Sequence, residues 1–437
     1  MTYSKNNPKV LVISHNVFSE NGNMGKTMKD FLSCVPPQDL AQLYFHSERP
    51  TVRCCRNYFR ITDTDVLKSV FSRKAGGTAF AEKDIAENQN SRTDKGLTAK
   101  VYQFSRRRTP LIYLARNLMW SAGVWQSKKL EQWIEDFSPD LIFFASGDYS
   151  FAYKVVCRIA QKYDLPVVTW CCDDFYISRA EHQSLWYRLN KKSLMKWART
   201  VMEKTDTIIT ISDKMAKDYQ KLFHKRTVTL RISADLNQYS LPTEKRSGIA
   251  YIGNLGVNRS APLVGFAKKL AQIDDQDLDH IDVYSNESNP EILQQIRSVQ
   301  EIHFKGALAG TQIAQKLGAY RYLLHVEAFD QSARNRTRYS LSTKIGESLR
   351  SGACLITYGP EELASMEYLR EHGAAFVTES ADAAVEFIKE SQDDQTRYRN
   401  YIKNAEALAS ECHDKAKNES IMLELLHQCR RKGDETE

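Results

Sequence analysis

Ser247-Gly248-Ile249-Ala250-Tyr251-Ile252-Gly253-Asn254-Leu255-Gly256-Val257-Asn258-Arg259 decides how this chain divides. Ile249 to Ile252 is a short apolar run, as a buried strand requires. A glycine turn and a cation follow it, and then a helical pattern from Pro262 to Gln272. Just upstream, Leu241-Pro242-Thr243-Glu244-Lys245-Arg246-Ser247-Gly248 is polar, with proline and glycine, and reads as a linker. An α/β rhythm therefore restarts near residue 245.

The same rhythm runs through the first half. Lys9–Ser14, Asp140–Ala145, Pro166–Trp170 and Thr207–Ile211 are apolar strands, and Asp213–Phe223 is a helix with Ser212 as its cap. Downstream, Ile281–Tyr284, Tyr322–Val326 and Cys354–Tyr358 are strands, and Tyr398–Arg430 is helical and rather polar. Residues 72–108 are rich in small and polar types and read as a long surface loop. Short apolar strands alternating with helices imply parallel sheets. The expectation is an α/β chain with two Rossmann-like domains facing a central cleft. The first is residues 1–241 and the second 247–395. A helical tail, 396–437, has the option of packing back on the first domain.

Composition narrows the function. With 437 residues, 42% hydrophobic and 26% charged, the chain is an ordinary globular protein. Its nine cysteines are an odd number and include no C-x-x-C pair, which points to a reducing, cytoplasmic compartment and away from a zinc ribbon. The longest apolar runs fall far short of the ~20 residues of a membrane span. The net charge of +7 comes with no nucleic-acid signature, so no nucleic-acid partner is expected.

Three glycine- or hydroxyl-bearing turns can carry chemistry. Gly22-Asn23-Met24-Gly25-Lys26-Thr27 opens a helix, but Glu20 stands where a phosphate-binding P-loop needs glycine. Gly25 is a phosphate-binding candidate there; a tight turn is the structural alternative. Gly253 and Asn254 with Arg259 suit a diphosphate. In Ser342-Thr343-Lys344-Ile345-Gly346-Glu347, Ser342 and Thr343 start a helix whose N–H groups suit phosphate oxygens, and Lys344 adds charge. Glu347, one turn on, can accept two ribose hydroxyls. Asp63-Thr64-Asp65 has the spacing of a metal-binding D-x-D, but it reads more simply as the start of a helix. His15, Asp148, Asp173 and Asp174 follow strand ends and are the acceptor-side candidates.

Lys344-Ile345-Gly346-Glu347 followed by Ser351-Gly352-Ala353-Cys354-Leu355-Ile356 resembles the Lys-x-x-Glu … Gly-x-Pro-Val segment of GT-B glycosyltransferases of the family 4 group. Tyr251–Leu255, His303-Phe304-Lys305-Gly306, Ser212–Met215 and Arg231–Asp235 resemble their other signature segments. The resemblance spans nearly the whole chain. It implies transfer of a sugar from a nucleotide-sugar donor to a glycan or lipid-linked acceptor, with retention, without a metal, and with no cofactor beyond the donor itself. Glu347 matches the ribose carboxylate, and Ser342, Thr343 and Lys344 match the diphosphate turn. Arg259 matches a diphosphate-contacting base, and Gly25 the glycine loop that closes on the donor. Asn254 replaces a frequent arginine. Tyr339 stands where many members carry glutamate, and Glu327 takes that place if residues 328–341 are an inserted loop. The catalytic candidates are thus Arg259, Lys344 and Glu327. Family habit places such enzymes in bacterial surface polysaccharide synthesis. A sugar-nucleotide epimerase on the same fold and a non-catalytic scaffold are the alternatives. Leu185–Trp197, with Arg106-Arg107-Arg108, mixes cations with apolar residues, which allows weak contact with an anionic membrane and a peripheral place on its inner face.

Overall fold

The computed structural model describes residues 7–20, 23–74, 76–84, 109–177, 184–234 and 245–430. The chain forms two compact units, one of Met1–Ile211, Ala216–Leu230 and Glu419–Glu437, the other of Ser212–Met215 and Arg231–Asn418.

The first unit is built on an eight-stranded sheet. Its strands are β1 (Val10–Ser14), β2 (Leu40–Tyr44), β3 (Asn57–Arg60), β4 (Thr78–Ala81), β5 (Leu141–Ala145), β6 (Val167–Cys171), β7 (Thr205–Thr210) and β8 (Arg226–Thr229). The order is β4-β3-β2-β1-β5-β6-β7-β8. Every residue of β1, β2, β5 and β6 is buried, because helices cover both faces of a parallel sheet. Among the described strands of this sheet only β4 pairs antiparallel, on β3 at the edge. The surface loop expected over 72–108 is therefore corrected at 78–81, which is strand. Residues 85–108, Arg106–Arg108 among them, lie outside the described residues. β2 escapes a periodicity reading because buried Gln42 interrupts it. That amide is satisfied: Gln42 accepts from Phe18 N–H at 3.2 Å and donates to Ser14 Oγ at 2.9 Å.

The second unit carries six parallel strands: β9 (Ser247–Ile252), β10 (Ile281–Tyr284), β11 (Ile302–Gly306), β12 (Tyr320–Val326), β13 (Cys354–Tyr358) and β14 (Phe376–Thr378). Their order is β11-β10-β9-β12-β13-β14. Side chains alternate between two cores. Ile249 and Tyr251 of β9 join Leu263 and Phe266, while Ala250 packs with Ile345, Leu349 and Leu408 on the other face. The helical tail is two helices, Thr396–Cys412 and Lys415–Gln428. Asp414 Oδ1 accepts from Lys417 N–H at 2.9 Å and starts the second one. From Glu419 on, this segment packs on the first unit: Glu419 accepts from Ser33 Oγ at 2.7 Å, and Gln428 accepts from Arg226 at 2.7 Å. Among the described residues no helix is long and apolar enough to cross a membrane.

In each sheet the strand order reverses at one point. That point is β1/β5 in the first unit and β9/β12 in the second. Loops leaving neighbouring strands in opposite directions open a crevice there, where parallel sheets bind ligands. His15 follows β1 and Asp148 follows β5. Gly253–Arg259 follow β9 and Glu327 follows β12. Both switch points are occupied by residues the sequence had singled out.

Candidate active site

The second unit's switch point is organised by one ion pair. Arg259 Nε and Nη2 donate to Glu327 Oε2 and Oε1 at 3.1 and 3.0 Å. The geometry is the two-pronged fork that only a guanidinium can present to a carboxylate. Glu327 is 3% exposed and is placed by backbone: its N–H donates to Tyr358 C=O at 3.0 Å. Gly359 makes that approach possible, since a Cβ there would stand 2.9 Å from Glu327 Cβ. Burial works against the Arg259 charge, and the Glu327 carboxylate more than restores it, so the pKa of Arg259 lies above its ordinary value. His325, at the end of β12 just before it, stands 3.5 Å from Glu327 Oε1, and burial lowers its pKa and favours the neutral ring.

The loop carrying Arg259 is held in a strained shape. Val257 and Asn258 sit at φ +58° and +57°. For a β-branched residue this is an outlier, and such strain collects at functional sites. Asn254 is exposed and works on the loop itself. Its Oδ1 accepts from Gly256 N–H at 2.6 Å, and its C=O accepts from the buried Tyr251 hydroxyl at 2.7 Å. Gly253 admits no side chain without pressing Tyr251, whose Oη would stand 3.0 Å from the added Cβ. Asn258 donates to Asp330 at 3.0 Å, tying this loop to the one after β12. Residues 328–341, expected as an inserted loop, contain the helix Gln331–Thr337. Tyr339 is fully buried, which removes it from ligand contact.

Ser342 caps the helix Thr343–Arg350, its Oγ accepting from Lys344 N–H at 3.3 Å, so that hydroxyl is already engaged. Thr343 is exposed at the first helical position. Lys344 Nζ and Glu347 Oε2 pair at 2.9 Å, both about one-third exposed. Gly346, between them, is a packing position. A Cβ there would lie 2.7 Å from Nδ1 of His413; that Nδ1–H donates to Ile232 C=O at 2.8 Å, and Nε2 accepts from Tyr368 Oη at 3.1 Å. Burial lowers the His413 pKa to about 4.

At the first unit's switch point, His15 stacks on Tyr149 (4.7 Å) and Tyr149 on Tyr113 (5.2 Å). Arg116 lies over Tyr149, donates to Asp63 at 2.9 Å, and meets His15 Nε2 at 3.0 Å. A guanidinium only donates, so His15 Nε2 accepts and cannot take a further proton while this bond stands. Asp148 accepts from Tyr113 Oη at 2.6 Å. Asp174 organises its own loop, accepting from Tyr176 N, Ile177 N and Tyr219 Oη, whereas Asp173 is exposed. Asp63 and Asp65 start a helix, with Thr62 and Asp65 forming a capping box. Asp63 is the counter-ion of Arg116. Gly25 packs so closely that a Cβ would meet Val17 C=O at 2.3 Å.

Sequence reasoning missed Arg116, Tyr113, Tyr149, His325 and Gly359. Only Arg116 and Tyr113 had a signal, the aromatic-rich helix Pro110–Ala122, and nothing local tied them to His15.

Residues 70–231 match the family model described as Glycosyltransferase Family 4. The fold matches HepE from Anabaena, solved with UDP, at 15% identity and TM-score 0.61, over 96% of this chain and 100% of that one. It matches sucrose-phosphate synthase from Thermosynechococcus elongatus at 11% identity and TM-score 0.59, over 96% and 98%. It also matches WaaG, a glycosyltransferase involved in lipopolysaccharide biosynthesis, at 14% identity and TM-score 0.52, over 94% and 99%. These likenesses establish the GT-B fold. No curated protein matches the sequence.

Proposed function

We infer that this chain, a glycosyltransferase of the GT-B type, moves a sugar from a nucleotide diphosphate donor to a glycan or lipid-linked acceptor. The observation that carries the reading is the buried Arg259–Glu327 pair at the β9/β12 switch point. It fixes a cation where parallel sheets bind ligands, on a strained loop. The bond between sugar and phosphate breaks with charge building on the departing diphosphate. Arg259, Lys344 and the N–H groups at the start of Thr343–Arg350 supply fixed positive potential for that charge. Glu347 is the ribose-binding carboxylate of this reading. Retention of configuration and chemistry without a metal go with it. HepE has been solved with UDP-glucose, which favours a uridine nucleotide as donor.

The acceptor belongs at the first unit's switch point, against Tyr113, Tyr149 and Asp148. A lipid-linked acceptor is favoured by the surface nearby. Leu185, Trp186 and Leu189 of the helix Leu185–Lys204 are exposed, as are Leu111 and Leu118 of the helix Pro110–Ala122 that packs beside it. Leu194, Ala198 and Val201 instead pack inward, so only the first turns of Leu185–Lys204 offer apolar surface. Exposed Arg188, Lys192 and Lys196 follow on the same helix, as contact with an anionic bilayer requires. A peripheral site on a membrane's inner face fits this surface.

Donor hydrolysis and transfer measured over a panel of nucleotide sugars test the reading. Turnover of one donor, with sugar passed to an acceptor, is expected. Release of epimerised sugar nucleotide without acceptor would make the chain an epimerase, and no turnover of any donor would make it a scaffold. Liposome sedimentation at low salt tests the membrane part: protein left wholly in the supernatant would end it.

A further inference from the structure

At the edge of the second unit's sheet, β10 and β11 bring two histidines and an aspartate together. Asp282 and His303 are register partners, and His280 lies two residues before Asp282, on the same face by the strand period of two. One ligand atom from each of His280, Asp282 and His303 falls within 4.8 Å of the others. His303 Nδ1 is 3.6 Å from Asp282 Oδ1, and the two imidazole centroids are 4.1 Å apart.

The surroundings prepare these groups as ligands. Asp279 Oδ1 is 2.7 Å from His280 Nδ1, so it takes that N–H and leaves Nε2 with its lone pair outward. A carboxylate behind the far nitrogen is the usual support of a metal-binding histidine. Asp282 Oδ2 accepts from Tyr320 Oη at 2.6 Å, which orients the carboxylate. Its Oδ1 is buried and accepts no hydrogen bond. The cation nearest to it is Lys305 Nζ, at 3.1 Å. Lys305, two residues after His303, shares its face by the same strand period. Lys305 is 43% exposed and free to swing into water.

We propose that His280, Asp282 and His303 bind one divalent transition-metal ion, displacing Lys305 from Asp282. Two imidazoles and one carboxylate suit zinc, nickel or copper rather than calcium or magnesium, which prefer all-oxygen shells. Three protein ligands leave the remaining positions to water. The cluster starts β10 and lies near the start of β11, away from the strand ends that carry Arg259 and Glu327, so the ion has no part in sugar transfer. Its effect is to tie the edge strand β11 to its neighbour.

The test uses the tag-free full-length protein, stripped with chelator and titrated with zinc against a chromophoric competitor, and with cobalt by absorbance. Saturable binding of one ion is expected, with a thermal melting point that rises with zinc. His280→Ala and His303→Ala should each weaken binding at least tenfold, and Asp279→Asn on the order of tenfold through its supporting contact. Lys305→Ala should tighten binding, a gain that a folding defect cannot mimic. The proposal is overturned if the wild type binds no zinc. It is equally overturned if His280→Ala/His303→Ala keeps wild-type affinity, or if the cobalt complex shows thiolate charge-transfer bands, which would assign the ion to cysteines.

Discussion

Arg259→Ala tests whether the switch-point cation is structural as well as functional. From the sequence alone, a charge on a binding loop should be removable without harm to the fold. In the structure, Arg259 is the cation of a carboxylate with 4% side-chain exposure, held by two hydrogen bonds. Removing it leaves Glu327 buried with no cation, facing a histidine that burial keeps neutral. Loss of one partner of a buried pair costs about 3–5 kcal/mol. In a unit of this size each kcal/mol lowers the melting point by about 2–4 °C, so the second unit should melt roughly 6–20 °C lower. Replacing both partners removes the orphaned charge, and Arg259→Leu/Glu327→Leu should recover most of that loss. Arg259→Lys keeps the charge without the fork and should fall between the two. The assay is thermal melting by circular dichroism, with the three variants compared with the wild type, and Arg259→Leu and Glu327→Leu alone closing a double-mutant cycle. If Arg259→Ala melts within 2 °C of the wild type, or the double variant is worse than the single, the buried-pair argument is wrong.

Lys344→Ala should lower kcat on the order of 10²-fold, about 3 kcal/mol, because its charge acts on the leaving diphosphate. Glu347→Ala should instead raise donor KM more than it lowers kcat, since a ribose contact is made in ground and transition states alike; steady-state kinetics on the best donor decide both. Gly346→Ala places a methyl on the His413 ring and should destabilise by about 1–3 kcal/mol, read by denaturant unfolding. His413 makes the fold acid-sensitive. Its pKa is about 4 folded against about 6.5 unfolded, so the unfolded chain binds the extra proton between those values. That stability is present above pH ~6.5 and is lost as pH falls toward 4, up to about 3 kcal/mol. His413→Asn should flatten the unfolding free energy over that window, and an unchanged slope would assign the acid sensitivity elsewhere.

How much was legible depended on the range of the signal. β1, β5, β6, β9, β12 and β13 announce themselves as apolar runs because parallel strands are buried on both faces. β2, β3 and β4 do not. Gln42 is buried but hydrogen-bonded to partners at Ser14 and Phe18, and β4 is half-exposed at an edge. Ser342 was legible as a cap, a contact with a residue two positions on. Glu327 and Arg259 were each named as candidates, but not as a pair: they are 68 residues apart in sequence.

By itself, then, the sequence determined the alternation of strands and helices, the restart near residue 245, and the residue types after each strand end. Those rest on hydrophobic periodicity and capping, which act over a few residues. Tertiary structure alone decided which charges meet. Strand order set β9 beside β12 and so joined Arg259 to Glu327. Pairing of β11 with β10 set Lys305 beside Asp282. Packing of the tail put His413 under Gly346 and made that glycine a steric necessity. Each is a contact between distant parts of the chain, and the partner appears only when the sheet and its packing are complete.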